Sequence, residues 1–273
     1  MTITGATKVL ALIGDPVSHS LSPIMHNGWI ADHGLDAVYV ALPLKSDSAE
    51  SEIRAFCRFG LAGANVTVPH KREAASAADR SEGVVANVLR WEKDGSVSGF
   101  NTDGLGFLDA LRETAPDWKT RVRRVLMLGA GGAASAIAEA LGPHVDTIYF
   151  ANRTQSRADA AADALRAGRV LRWEDLERGF GAADLIVQAT TLGMSGAPSP
   201  NWPMHAAKQT AICADIVYKP LETPFLAAAR ARNLVAMDGL GMLIHQGARA
   251  FELWFGVKPD VQKARARLIA ALP

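Results

Sequence analysis

The chain of 273 residues is poor in cysteine, in net charge and in uninterrupted apolar sequence. Two cysteines, Cys57 and Cys213, stand far apart, which excludes a disulfide framework and a cysteine metal cluster. The 29 lysines and arginines against 28 acids leave a net charge of +1, so no concentrated basic face for nucleic acid or an anionic membrane is expected. No run approaches the length of a membrane span, and the opening MTITGATKVLALIGDP offers too short an apolar core for a signal peptide. Seven histidines occur without HExxH or another ligand spacing, so no metal site is expected. Repeats and low-complexity segments are absent. These traits describe a cytoplasmic protein whose length allows one large domain or two modest ones.

What is present is alternation. Short β-branched runs exchange with helical stretches, the pattern of α/β architecture with parallel sheets. KVLALIG (8–14), AVYVALPL (37–44) and NVTV (65–68) read as strands, with helices over 22–34 and 48–60 between them and an alanine-rich helix, KREAASAADRS, after the third. Asp94-Gly95 between two β-rich arms predicts a hairpin with a two-residue primed turn, so that Lys93 faces Ser96 and Asn87 faces Thr102. A bulge would shift that register by one residue. Downstream, GFLDALRETAPDW is helical. A second α/β unit then follows, with strands at VLMLG, TIYFAN, LIVQAT, AICADIV and LVAMD, and two helices close the chain.

Residues 63–71, GANVTVPHK, put Asn65 and Thr67 on one side of a strand that ends in proline and a lysine. Strand ends of a parallel sheet are where such folds bind ligands, which makes Thr67 and Lys71 candidates, although a lysine opening a helix is most often merely exposed. In VLMLGAGGAASAIAEAL (125–141), Gly129 allows a tight turn, Gly131 and Gly132 allow close backbone approach, and Ala134 takes the third glycine position. Strand before and helix after make this a dinucleotide-binding turn, with the pyrophosphate expected against residues 129–133, including Ala130 and Ala133. No acid occurs from Thr147 to Ala158, where an NAD-binding unit normally offers one. Asn152, Arg153, Thr154 and Arg157 instead supply donors and positive charge, which suit the ribose phosphate of NADP. Ser20 and Ser22 precede Pro23 at a helix start; Ser22 reads equally as a helix cap or, with Ser20, as part of a carboxylate site.

IGDPVSHSLSPIMHN, GANVTVPHK, GFNTDG, LGAGGAA, ANRT, DIVYKPLETP and GMLIHQGARAFELW stand in the order and rough spacing of shikimate dehydrogenases, and the resemblance covers essentially the whole chain. It implies an N-terminal α/β substrate domain over residues 1–104, an NADP-binding Rossmann domain over 105–239, and C-terminal helices (240–273) returning to the first. It implies that Ser20 and Ser22 hold the shikimate carboxylate. Asn65, Thr67, Asn87, Asp103 and Gln246 would bind ring hydroxyls with Tyr218 nearby, Lys71 and Asp103 would be the catalytic pair, and Ile216 and Gly239 would offer backbone contacts near the nicotinamide. The implied reaction is reversible reduction of 3-dehydroshikimate to shikimate with NADPH, in aromatic amino acid biosynthesis by way of chorismate. The resemblance leaves a homodimer open.

Three departures from the family pattern bear on substrate preference. Val88 stands where a threonine usually follows the substrate asparagine, the connector from Lys71 to Asn87 is about one helical turn short, and Gln188 replaces the usual asparagine of Asn-Ala-Thr. They keep two alternatives in view: a paralogous quinate or aminoshikimate dehydrogenase, and a non-catalytic NADP-binding sensor.

Overall fold

The computed structural model describes residues 2–45, 47–56, 59–194 and 197–272. Cys57 lies outside them. The chain divides into two compact units, residues 1–102 with 246–273, and residues 103–245.

The first unit is built on a six-stranded mixed sheet. Its elements are β1 (Lys8–Gly14), α1 (Ser22–Asp32), β2 (Ala37–Pro43), α2 (Ala49–Phe56), β3 (Leu61–Val66), α3 (Lys71–Ala77), β4 (Arg80–Ser81), β5 (Val88–Trp91) and β6 (Val97–Phe100). The strand order is β2-β1-β3-β5-β6-β4. The first three strands run parallel, and the β5–β6 hairpin adds antiparallel to β3. Residues of β1 to β3 alternate between two buried faces, as a covered parallel sheet requires. Ala11, Ile13, Ala64 and Val66 pack with Ala49 and Ile53 of α2 and with the alanines of α3. On the other face Tyr39 of β2 meets His26 of α1, and Trp29 of α1 meets Phe251 from the C-terminal part of the chain.

The hairpin corrects the expected register. Val88 pairs with Phe100 and Trp91 with Val97, one residue away from the two-residue-turn alignment. The Gly95 N–H donates to the Glu92 carbonyl and Gly95 takes φ +84°, while the Glu92 N–H donates to the Ser96 carbonyl. This is a three-residue loop, a tight turn followed by a left-handed glycine, and Asp94 stabilises it by accepting from the Ser96 N–H and hydroxyl. The helix expected after Lys71 is also shorter: it stops at Ala77, and Arg80–Ser81 becomes an edge strand.

The second unit contains α4 (Asp103–Thr114), α5 (Trp118–Arg121), β7 (Arg124–Leu128), α6 (Gly132–Leu141), β8 (Thr147–Ala151), α7 (Gln155–Asp163), β9 (Gly168–Val170), α8 (Leu176–Ala182), β10 (Leu185–Gln188), β11 (Ile212–Asp215), α9 (Pro224–Arg230) and β12 (Val235–Met237). Two helices follow, α10 (Gly239–Phe255) and α11 (Val261–Ala271), and the division between the units falls inside α10. All six strands are parallel in the order β12-β11-β10-β7-β8-β9, the doubly wound arrangement. β7 shows why both faces are covered: Val125 and Met127 join one apolar cluster with α4 and α6, and Leu126 and Leu128 join another with α8 and α9. β9, not expected from the sequence, is a three-residue edge strand whose Arg169 and Val170 are exposed. Asp103 is the first residue of α4 and is buried. Among the described residues no helix is long and apolar enough to cross a membrane.

Candidate active site

In the first unit the loops after β1 and β3 leave the same end of the sheet. The Thr67 N–H donates to the Ile13 carbonyl and the Asp15 N–H to the Val68 carbonyl, which ties these two strand ends together. Ser20 and Ser22 follow β1, Thr67 follows β3, and Lys71 opens α3, partly exposed. The serine pair does not form the cap read at Ser22. Leu21 holds the N-cap position, and Ser20, not Ser22, accepts the Ser22 N–H at 3.2 Å. Ser22 therefore lies inside the helix, buried, with its hydroxyl not serving as the N-cap.

Three of the predicted substrate residues form one bonded cluster. Asn65 Nδ2 donates to the Asn87 carbonyl at 3.1 Å, and Asn87 Nδ2 donates to Gln246 Oε1 at 3.2 Å. Asn65 and Asn87 are buried. Thr102, which the hairpin prediction placed opposite Asn87, and Tyr39, which the sequence did not single out, complete the cluster. The Thr102 N–H donates to Asn87 Oδ1 at 2.8 Å and its hydroxyl donates to the Gln246 carbonyl, while the Tyr39 hydroxyl donates to Asn65 Oδ1 at 2.7 Å. Buried amides must find partners, and each of these has them. The amide directions follow from chemistry: a backbone N–H can only donate, so Asn87 Oδ1 faces Thr102 and its Nδ2 faces Gln246. Gln246 therefore points Oε1 at Asn87 and turns its Nε2 donors elsewhere. Val88, opposite Asn65 in the sheet, is fully buried, so a methyl lies where a hydroxyl would have added a polar group beside this cluster.

In the second unit the glycine turn lies at the end of β7, between β8 and β10 and thus at the point where strand order reverses. Gly129 has φ +113°, and a Cβ there would press on the Ala189 carbonyl and Thr190. Gly131 is the N-cap of α6 and Gly132 its first residue; a Cβ on either would meet open space. Their exposed backbone N–H groups can therefore be approached by an anion, with Ala130 and Ala133 flanking, while Ala134 is fully buried against the sheet. Asn152, Arg153 and Thr154 follow β8, and Arg157 lies in the first turn of α7. Asn152 Nδ2 donates to the Thr154 carbonyl at 2.9 Å, holding this corner. Both arginines are exposed, and among the described residues neither forms an ion pair. An open glycine turn at a helix start and two unpaired guanidiniums at the next strand end fit a dinucleotide carrying an extra ribose phosphate.

Ile216 and Gly239 are brought together, since a Cβ on Gly239 would collide with the Ile216 carbonyl. Tyr218 is partly buried, and burial raises its pKa above the usual phenol value. Asp215, not singled out by the sequence, anchors this corner. It is fully buried and accepts from the Thr223 hydroxyl at 2.7 Å, the Val217 N–H at 2.9 Å and Gln188 Nε2 at 3.3 Å. Burial raises its carboxyl to about 6 against the pull of these donors. Gln188, the departure noted above, also accepts from the Thr190 N–H and hydroxyl, both at 2.6 Å, and donates to the Leu192 carbonyl. The longer amide thus joins the ends of β10 and β11.

A parallel doubly wound unit with an open glycine turn at its switch point, carried on a chain with a separate α/β unit, defines a two-domain NADP-dependent oxidoreductase. Family models agree on which one. The substrate-binding domain of shikimate dehydrogenase matches residues 12–88, the shikimate/quinate 5-dehydrogenase model matches 111–195, and the shikimate 5′-dehydrogenase C-terminal domain matches 239–269. Shikimate dehydrogenase (NADP(+)) of Rhodospirillum rubrum is 43% identical over 99% of this chain and 100% of its own. Among solved structures, a shikimate dehydrogenase in complex with NADP+ superimposes with a TM-score of 0.91 at 34% identity, covering 100% of this chain and 98% of that one. The enzyme from Thermus thermophilus in complex with NADP(H) and shikimate gives 0.85 at 33%, covering 97% and 100%. The chain belongs to the shikimate dehydrogenase family.

Proposed function

We propose that this protein is an NADP-dependent shikimate dehydrogenase that interconverts 3-dehydroshikimate and shikimate in the route to chorismate and the aromatic amino acids. The observation that carries the reading is the 43% identity, over 99% of this chain, to a shikimate dehydrogenase (NADP(+)), in a chain that has Lys71, Asp103 and the Asn65–Asn87–Gln246 cluster. In this reading residues 1–104 and 240–273 bind substrate and residues 105–239 bind NADP. Ser20 and Ser22 hold the carboxylate. Asn65, Thr67, Asn87, Asp103 and Gln246 hold ring hydroxyls, with Tyr218 beside them. Residues 129–133 cradle the pyrophosphate, Asn152, Arg153, Thr154 and Arg157 take the ribose phosphate, and Ile216 and Gly239 contact the nicotinamide. The enzyme acts in the cytoplasm on a small molecule and not on nucleic acid, with a homodimer left open.

Bound NADPH supplies the hydride for the ring ketone. The chain's own task is then protonic: oxygen gains charge as the carbonyl is reduced, and Lys71 Nζ gives it a proton, with Asp103 as the second member of the catalytic pair, binding a neighbouring hydroxyl. The bound amides orient the ring so that only one face and one carbon are presented. The test is reduction of NADP+ followed by absorbance with shikimate, with quinate and with no second substrate. Rapid reduction with shikimate alone is expected. A strong preference for quinate, or no reduction with either, overturns the assignment.

A further inference from the structure

We propose that Tyr39 is a positioning residue for substrate binding that acts through Asn65, an inference that rests on the function proposed above. Asn65 is a short amide at the end of β3, and an amide can present either its oxygen or its nitrogen. Two neighbours remove that choice. The Asn87 carbonyl can only accept, so Asn65 Nδ2 must face it, at 3.1 Å. Oδ1 is thereby turned to Tyr39, whose hydroxyl must donate, at 2.7 Å. The remaining Nδ2 hydrogen of Asn65 is the one available to a substrate oxygen. Asn65 is thus fixed as a donor, which takes a hydroxyl oxygen as partner and has no use for an ammonium.

Tyr39 is itself held with unusual completeness. β2 is an edge strand, so the outward N–H and C=O of Tyr39 would lack a ladder partner. The Asn27 side chain supplies one: its Oδ1 accepts the Tyr39 N–H at 2.9 Å and its Nδ2 donates to the Tyr39 carbonyl at 2.8 Å. The adjacent His26 stacks on the phenol ring, centroids 4.3 Å apart and planes 11° from parallel. Both His26 ring nitrogens are buried without a hydrogen-bond partner among the described residues, and burial lowers the imidazole to about 3, so it stays a neutral plate. Burial likewise pushes the Tyr39 hydroxyl above its ordinary value, which keeps it a donor. The His-Asn pair that closes the serine motif therefore has a purpose that neither the carboxylate nor the ring contacts use. It clamps the tyrosine whose hydroxyl reaches past β1 to set the amide on β3.

The experiment compares Tyr39→Phe, Asn65→Ala and the double variant by steady-state kinetics. Tyr39→Phe keeps the ring stack and removes the donor, so kcat/KM for shikimate is expected to fall about tenfold, chiefly through KM, with KM for NADP+ unchanged. In the Asn65→Ala background the same change should cost less than about twofold, because the group it acts through is gone. A merely structural tyrosine would give the same loss in both backgrounds, or lose NADP+ affinity and turnover together, and either result overturns the proposal. Should Tyr39→Phe be too unstable to assay, Asn27→Ala releases the Tyr39 backbone while keeping its hydroxyl, and the same dependence on Asn65 is read. Wild-type protein that fails to oxidise shikimate sinks the functional reading and this inference together; a normal wild-type rate with an unaffected Tyr39→Phe sinks only the inference.

Discussion

Lys71→Ala is expected to lower turnover by about a hundred- to ten-thousandfold, the usual contribution of a positioned acid, while NADP+ binding stays within about twofold of wild type. The reasoning is local. Reduction of a ketone builds charge on oxygen, and the group that gives the proton must be held where the substrate lies. Lys71 opens α3, directly after the β3 end whose Asn65 belongs to the amide cluster. Its backbone is fixed there, because the Lys71 carbonyl accepts the Ala86 N–H at 2.8 Å, one residue before Asn87. Lys71→Arg separates charge from proton transfer. Arginine keeps the cation but does not give up its proton at ordinary pH, so turnover should remain low in that variant as well. Steady-state kcat and fluorescence titration of NADP+ read both quantities. Near-normal turnover in Lys71→Ala removes the lysine from the mechanism, and recovery in Lys71→Arg reduces its part to electrostatics.

The second large effect concerns the cofactor. Arg153→Ala with Arg157→Ala should raise KM for NADP+ about a hundredfold, with kcat/KM for NAD+ changed less than about twofold. Each charge-assisted hydrogen bond to a phosphate contributes on the order of 1.5–3 kcal/mol, and the two arginines are proposed to share that contact. Both side chains are exposed and unpaired among the described residues, so no ion pair inside the protein has to break first. NAD+ lacks the phosphate and should be nearly indifferent to the change. The wild-type preference for NADP+ should also weaken as salt rises, since both arginines are solvent-exposed. Equal losses for both cofactors would place the arginines in general dinucleotide binding, and no loss would remove them from it.

How much of this was legible beforehand depended on how local the determining physics was. The glycine turn, the missing acid after β8 and the α/β alternation are local features, and they carried the second unit and its cofactor. Strand β9 was not legible because three residues, two of them exposed, provide no hydrophobic period. The hairpin was found from Asp94-Gly95, but its register turned on whether one or two residues adopted a left-handed conformation, and only Gly95 does so. The cap expected at Ser22 failed for a similar reason: the helix begins so that Leu21 takes the N-cap position and the Ser22 N–H meets the Ser20 hydroxyl. The amide cluster was legible as a set of residues and not as a set of directions. Its orientation is imposed by Tyr39 and Thr102, which lie 26 and 15 residues from the amides they bind. Asp215 escaped for the same reason, since nothing in CADIVYKP announces a carboxyl buried against Thr223 and Gln188.

Every role given to these residues serves direct transfer of one hydrogen from a specific carbon of shikimate to NADP+. The measurement is the isotopic content of the NADPH formed from shikimate carrying deuterium at the carbinol carbon that becomes the ketone. The account predicts that the label appears in the NADPH, one deuterium per turnover. NADPH formed without label, or shikimate left unoxidised in the presence of NADP+, would contradict it.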